Sequence, residues 1–198
     1  RDTSINEIQF LNENIGYAVG NHSSGLFFKT EDGGKNWSIN EIDPNKYIIS
    51  LCFINQNTGW LVGNSGFIVK TTDGGGNWIY QNVSPDFDFN KVVFIDENNG
   101  WIISTYSNKI FTTTNGGLNW KIDNIKTNNL IRSIYFIDNK YGWIIGDAGT
   151  ILKYSCTETS IEEPLPITEN NDFQIFPNPA TNEITLSIPN EQNINSIS

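Results

Sequence analysis

Side chains able to do chemistry are sparse in this sequence, and most lie in polar stretches between apolar segments. Five of them are candidates for contact with a ligand: Asp86, Asp88, Tyr106, Arg132 and Asp147. Two carboxylates that face each other across a cleft would supply an acid–base pair. Asp86 with either Asp147 or Asp123 is a conceivable pairing, but nothing in the spacing singles it out. We therefore assign no catalytic residue.

The remaining reactive groups match no familiar catalytic or metal-binding pattern. The one histidine, His22, stands in a polar stretch beside Ser23 and Ser24 and has no evident partner for nucleophilic catalysis. Two cysteines, Cys52 and Cys156, make neither a disulfide framework nor a zinc signature, and a bridge between them is not favoured. No phosphate-binding loop is found. We expect no metal and no cofactor.

Composition narrows the range of partners. The net charge of −10 over 198 residues argues against nucleic acid and anionic lipid. No apolar run reaches the roughly 18 residues of a membrane span, so an integral membrane protein is not expected. Aromatic residues make up 13% and charged residues 17%, a balance that suits short strands separated by turns. The chain contains no Met, and we expect either a removed leader or a fragment.

A repeat of about 42 residues organises the chain. A glycine followed by an aromatic residue recurs at Gly16, Gly59, Gly100 and Gly142, at intervals of 43, 41 and 42 residues. The second repeat reads as four short strands, over 48–54, 60–63, 67–71 and 77–81. First strands at 5–11, 89–95 and 131–137 match it and place phenylalanines in one register, as core positions: Phe10, Phe53, Phe94 and Phe136. Four antiparallel strands per repeat predict one blade of a β-propeller.

A glycine-rich corner separates the third and fourth strands of each complete repeat. Its short Asp or Asn accepts hydrogen bonds from backbone N–H groups just ahead, its paired glycines supply positive φ, and a Trp covers the turn. Because the Asp holds its own turn, we assign these residues a structural role. We also expect the tryptophans to pack between blades and not to form an exposed carbohydrate platform. The corner residues are Asp32, Gly34, Trp37, Asp73, Gly75, Trp78, Asn115, Gly117 and Trp120.

These corners resemble the Asp-box, or BNR-type, repeat S/T-x-D-x-G-x-x-W. Residues 1–155 look like the propeller family that includes photosystem II assembly (stability) factors and secreted bacterial relatives. The resemblance implies an all-β propeller with three complete blades and a partial fourth; the photosynthetic role is not carried over. The fourth repeat, 131–155, has no corner, so we expect its missing strand upstream of Arg1, with earlier blades completing the ring.

The chain changes character after residue 155. Residues 156–171 are acidic, contain proline and lack periodicity, which predicts a linker. Residues 172–198 read as strand, Pro177-Asn178-Pro179-Ala180 turn and strand. They resemble the start of the C-terminal sorting domain of type IX secretion cargo, a longer β-sandwich of which Ser198 would be a truncation. This resemblance implies the type IX machinery as a partner and a secreted or outer-membrane surface location in a Gram-negative bacterium.

Two functions follow from these resemblances. The first is a non-catalytic module for binding or display of a protein or glycan, and it is the one we predict. The second is a carbohydrate-active enzyme, because Asp boxes also occur in sialidases and some glycoside hydrolases. Sialidases hold the substrate carboxylate with three arginines, whereas this chain has only Arg1 and Arg132. The predicted ligand face carries the loops between second and third strands and between blades.

Overall fold

The computed structural model describes residues 3–22, 24–83, 86–104, 106–125, 127–156 and 171–175, with the backbone alone at 155–156 and 171–175. Over these residues the chain forms four antiparallel sheets of four strands, each ordered as in the sequence. Each sheet is one propeller blade, so the predicted all-β propeller fold is confirmed. The first strands predicted at 5–11, 48–54, 89–95 and 131–137 overlap the first strand of each sheet, whereas the fourth sheet extends beyond the predicted end at residue 155 to Asn171–Ile175.

The strands are numbered through the four blades. Blade one holds β1 (Ser4–Phe10), β2 (Gly16–Asn21), β3 (Gly25–Thr30) and β4 (Ser38–Asp43). Blade two holds β5 (Ile48–Phe53), β6 (Gly59–Gly63), β7 (Ile68–Thr71) and β8 (Ile79–Tyr80). Blade three holds β9 (Phe89–Phe94), β10 (Gly100–Ser104), β11 (Lys109–Thr113) and β12 (Lys121–Asn124). Blade four holds β13 (Ile131–Phe136), β14 (Tyr141–Gly146), β15 (Ile151–Cys156) and β16 (Asn171–Ile175).

Stacked aromatic rings join each blade to the next. The aromatic residue after the glycine of one blade lies flat on the first-strand phenylalanine of the following blade. The ring centroids are 3.7 Å apart for Tyr17 and Phe53, 3.5 Å for Trp60 and Phe94, and 3.7 Å for Trp101 and Phe136. The planes in these pairs are within 11° of parallel. The first strands, which contact one another from blade to blade, form the inner wall of the arc.

The glycine of each glycine–aromatic pair leaves room for the phenylalanine of its own blade. A Cβ on Gly59 would lie 2.6 Å from the ring of Phe53, and one on Gly100 would lie 2.4 Å from the ring of Phe94. Contacts that close are not tolerated, so a larger residue would displace the ring from its stack. In each glycine–aromatic pair, the glycine therefore makes room for the phenylalanine of its own blade, and the aromatic residue stacks on the phenylalanine of the next blade.

The glycine-rich corners form as predicted. The Asn36 N–H donates to Asp32 Oδ1 at 2.9 Å and the Asn77 N–H donates to Asp73 Oδ1 at 2.8 Å, while the glycines at their centres have positive φ. The third corner uses an Asn oxygen in the same way, with a bond of 3.0 Å from Asn119 N–H to Asn115 Oδ1. The threonine that begins each motif was assigned no role from the sequence. Thr71, which is fully buried, accepts from the Gly75 N–H and donates to Asp73.

Four sequence predictions need comment. The outer strand of blade four is β16, which pairs with β15, so the expectation of a strand from upstream of Arg1 is wrong. Phe10 is 43% exposed, unlike its buried equivalents, because no blade among the described residues packs on that side of it. Cys52 is a free thiol whose pKa burial raises to about 11. Residues 157–170 and 176–198, which hold most of the predicted linker and sorting segment, lie outside the described residues.

The two acidic corners make the stability of the fold depend on pH. Hydrogen bonds from the Asn36 backbone and side chain lower the pKa of Asp32 to about 2, and those from the Asn77 side chain and backbone do the same for Asp73. A carboxyl with a lower pKa in the folded chain stabilises the fold only when ionised. That contribution is complete above about pH 4 and is lost as the pH falls to about 2.

We expect the urea midpoint of unfolding to fall between pH 4 and pH 2, and to fall less steeply in the Asp32→Asn/Asp73→Asn double variant. Asn keeps the acceptor oxygen, as Asn115 shows, but has no charge to lose. Asn115→Asp is the matched reverse change and should steepen the fall. Asp96 and Asp147, whose pKa values are also lowered, leave a residual slope. An unchanged slope in the double variant would contradict this account.

Candidate functional site

An open groove of about 810 Å³ lies where the first strands of blades one to three begin, and we call it the mouth groove. It is on the face that carries the loops between second and third strands and the connections between blades. Amide, tyrosine, charged and isoleucine side chains line it: Asn6, Asn21, Asn64, Asn90, Tyr47, Tyr106, Glu7, Asp88, Lys91, Ile5 and Ile49. Of the five candidates from the sequence, Asp88 and Tyr106 are lining residues, while Asp86, Arg132 and Asp147 are not.

An ion pair between Glu7 and Lys91 forms part of the groove wall. It reaches from blade one to blade three, past blade two, and both side chains are about three-quarters buried. The second oxygen of Glu7 accepts the Leu51 N–H of blade two at 2.9 Å. Sequence reasoning missed this pair, although Glu7 and Lys91 each stand three residues before a first-strand phenylalanine. This shared position in the repeat could have indicated that the two charges lie at the same level of the first strands.

The amide side chains of the groove fasten the start of one first strand to its neighbours. Asn6 Nδ2 donates to Ile48 O at 2.6 Å, and Asn64 Oδ1 accepts from the Tyr47 N–H at 2.7 Å. Asn90 Nδ2 lies 3.5 Å from Ile131 O in the next blade. The Oδ1 atom of Asn90 is buried and has no hydrogen-bond partner among the described residues.

Two tyrosines stand at the edge of the groove. Tyr47 is 50% exposed and Tyr106 is 76% exposed. Tyr47 precedes β5 and Tyr106 lies between β10 and β11, so both are on loops that the blades hold in place. An exposed aromatic ring with a hydroxyl gives a flat contact surface and a polar handle to a ligand at low cost in side-chain entropy.

The acidic candidates have structural partners. Asp88 Oδ1 accepts the N–H of Ser65 at 2.8 Å and so supports a turn in which Ser65 has a φ of 50°. Asp123 pairs with Lys121 at 3.2 Å. Asp86 lies in the connection before β9 and also has an interaction within the chain.

Arg132 and Asp147 bind each other in blade four. Arg132 Nε and Nη2 donate to the two oxygens of Asp147, each at 2.6 Å. These hydrogen bonds from the guanidinium lower the pKa of Asp147, and those to the carboxylate raise the pKa of Arg132. Arg132, which the sequence offered as a candidate ligand contact, is thus paired with Asp147. Asp147 and Asp123, the two carboxylates considered as partners for Asp86, are therefore each paired with a basic side chain.

The described part of the chain offers neither a membrane-crossing helix nor a metal site. None of its helices is long and apolar enough to cross a membrane. It also contains no group of three or more His, Cys, Asp and Glu side chains that would hold a metal ion.

The family model described as "Photosynthesis system II assembly factor YCF48" matches residues 1–87 and 79–155. The chain belongs to this YCF48-like family. The match covers the four blades up to β15, so the resemblance stated from the corners is confirmed for the propeller. No curated protein gives a match to the sequence. The match does not extend to residues 156–198.

Solved structures similar to this chain are propellers with low sequence identity. The structure described as "YCF48 bound to D1 peptide" is 18% identical with a TM-score of 0.54, over 76% of this chain and 64% of that one. YCF48 from Cyanidioschyzon merolae is 20% identical with a TM-score of 0.52, over 86% and 71%. A GH74 enzyme of Niastella koreensis is 13% identical with a TM-score of 0.61, over 86% and 30%. At these identities the likeness shows the fold alone.

We expect Arg132→Gln to raise the pKa of Asp147 toward the ordinary value of an aspartate, because the variant removes the charge that favours the ionised carboxylate. A carbon-detected NMR titration of the Asp147 carboxyl measures this shift. Lys121→Gln, which removes the partner of Asp123, is the matched control and should leave the Asp147 titration unchanged. An Asp147 curve that Arg132→Gln does not move would contradict the ion pair.

Proposed function

We propose that this chain is an exported, non-catalytic propeller module that binds an extended peptide segment of a partner protein in the mouth groove. The observation that carries the proposal is the lining of that groove, where amide side chains lie beside two exposed tyrosines. An extended peptide presents backbone N–H and C=O groups at every residue, and such groups need partners like these. The groove volume is in the usual range for ligand sites.

Family membership supports a protein ligand. The related structure described as "YCF48 bound to D1 peptide" is a propeller of the same family holding a peptide. We carry over to this chain the kind of ligand, a peptide, and not D1 itself. The chain spans 64% of the length of that relative, so partners of a whole protein stay proposals.

The state of the carboxylates supports a non-catalytic role. A glycosidase of the inverting type needs an acid and a base roughly 6.5–9.5 Å apart, and the acid needs a raised pKa. Asp147 instead has a lowered pKa and a bidentate arginine, and Asp123 has a lysine partner. The likeness to a GH74 enzyme concerns the fold and brings no catalytic pair with it.

We expect Tyr106→Ala and Tyr47→Ala each to weaken binding by about tenfold, the usual effect of removing an aromatic anchor. The probe is a displayed library of random 12-residue peptides, and the affinity of the selected peptide is then measured by calorimetry. Tyr141→Ala is the matched control, because Tyr141 is similarly exposed but begins β14 at the opposite face.

Two results would contradict this proposal. Selected peptides that bind both groove variants as tightly as the unmodified chain would place the site elsewhere. Turnover in a panel of glycosides that is lost in Asp86→Asn would support the carbohydrate-active alternative. A glycan array separates a third case, in which the groove binds a carbohydrate without hydrolysing it.

The export part of the proposal is supported by the Pro177-Asn178-Pro179-Ala180 motif, which follows an acidic, proline-containing stretch. We propose that residues 176–198 belong to a sorting segment read by the type IX secretion machinery, with release from the cell or attachment at its surface. The predicted segment began at residue 172, but Asn171–Ile175 form β16. A deletion that tests sorting without removing that strand therefore starts at residue 176.

We expect deletion of residues 176–198 from the protein expressed with its native export signals to leave it in the periplasm of a host with a type IX system. Replacement of the same residues by a scrambled sequence of equal length is the control for length and charge, and should have the same result. Protease accessibility on intact cells and fractionation of the medium measure the location. Normal surface display of the deletion would contradict the sorting role without affecting the peptide site.

A further inference from the structure

A β-bulge interrupts the first strand of every blade at the same place, four residues before the phenylalanine. In blade two, Ile48 pairs with Gly63 and Ser50 pairs with Val62, so Ile49 between them has no partner on β6. The same shift in pairing occurs in the other three blades. A bulge turns a side chain out of the regular alternation of a strand, and bulges are frequent next to functional sites. The four bulge residues are Asn6, Ile49, Asn90 and Arg132.

The bulges bring these positions to the mouth groove. Asn6, Ile49 and Asn90 all line it. Arg132 does not line it, but its charge interacts with Tyr106, which does. The groove is therefore built around one recurrent irregularity of the first strands.

The chemical class of the bulge residue varies, whereas that of the residue before it does not. The bulge residue is an amide in blades one and three, an isoleucine in blade two and an arginine in blade four. Because the same bulge forms with each of them, the fold does not dictate this side chain, and it is free to serve recognition. The preceding residues are all large and apolar, and the last three are at most 1% exposed: Ile5, Ile48, Phe89 and Ile131.

Ile49 is the apolar bulge residue, and packing within the blades does not account for it. Blade two has a described neighbour on each side, yet Ile49 stays partly exposed. It belongs to none of the three apolar clusters that the described residues form. Asn6 and Asn90 each place an Nδ2 group on a backbone carbonyl of the following blade, a contact that an isoleucine cannot make. Ile49 instead offers the groove an aliphatic surface.

We propose that Ile49 determines the specificity of the mouth groove by packing against one aliphatic side chain of the bound peptide. This inference rests on the proposed peptide site and adds the kind of residue that the site selects. The charged residues of the nearby wall, Glu7 and Lys91, are already paired with each other. A charged peptide side chain placed on Ile49 would lose water without gaining a partner, whereas an aliphatic one gains from burial.

Selection from a displayed library of random 12-residue peptides tests this specificity. We expect the selected peptides to share an aliphatic residue, and Ile49→Asn, which copies the bulge residue of blades one and three, to weaken their binding about tenfold. Replacing the shared aliphatic residue by Ala should weaken binding to the unmodified chain and have little further effect on binding to Ile49→Asn. Ile39→Asn, at an exposed position on the outer strand β4, is the matched control and should bind like the unmodified chain.

The stability of the variant separates a ligand contact from a structural role. Because Ile49 is outside the apolar clusters and Asn occupies the same bulge in two other blades, Ile49→Asn should leave the urea midpoint of unfolding nearly unchanged. A second selection against Ile49→Asp should replace the aliphatic residue by Lys or Arg. A lowered midpoint in Ile49→Asn, or an unchanged set of peptides with Ile49→Asp, would overturn the proposal.

The tyrosine variants separate this inference from the proposed function. If Tyr106→Ala weakens binding and Ile49→Asn does not, the role of Ile49 is overturned and the groove remains the peptide site. If neither variant weakens binding, the peptide site lies elsewhere and both proposals fail. Weakened binding in both variants, with an aliphatic residue shared by the selected peptides, is the result that we expect.

Discussion

The flat stacking of an aromatic ring on the first-strand phenylalanine of the next blade is the contact on which this arc depends. It is made three times with nearly the same geometry, although a tyrosine replaces the tryptophan in blade one. Each stack buries two large rings and lies against further apolar residues of both blades. A single sheet of four short strands cannot bury both of its faces, so each blade is stable only between neighbours.

The stacking also explains why the functional candidates lie at the ends of strands. Side chains in the middle of the strands pack between neighbouring blades, and the Asp-box side chains hold their own turns. Polar residues are left for the loops and the ends of the strands, where blades one to three place them around one groove. Because the groove floor is made of first strands fastened by Asn6 and Asn90, its shape follows from the angle between blades. Recognition at such a site uses loops on a rigid frame.

Local features of this fold could be predicted from the sequence, and features that depend on curvature could not. The strands and corners follow from periodicity, glycine pairs and short acceptor side chains, all within a few residues. Glu7 and Lys91 are 84 positions apart, and only the bend of the arc brings their charges together. The sequence did not predict that β16 supplies the outer strand of blade four, because a long stretch without periodicity precedes it. The exposure of Phe10 was missed because register identifies an inward face and not what covers it.

The side-chain hydrogen bonds of the Asp in each Asp box join residues at most four positions apart, whereas the corner backbone also bonds to other parts of the chain, as Gly33 does to Asn14 and Gly116 does to Trp60 of blade two. A blade could therefore be copied or exchanged without breaking the side-chain bonds of its own Asp, although the bonds to Gly116 from blade two would be lost. The Glu7–Lys91 pair breaks this equivalence, because it needs an acid in one blade and a base two blades later, with the small Ser50 between them. A shuffled gene that reordered these blades would keep every turn and still lose the charge match. The ion pair therefore depends on the order of the repeats, whereas the aromatic stacking between blades does not.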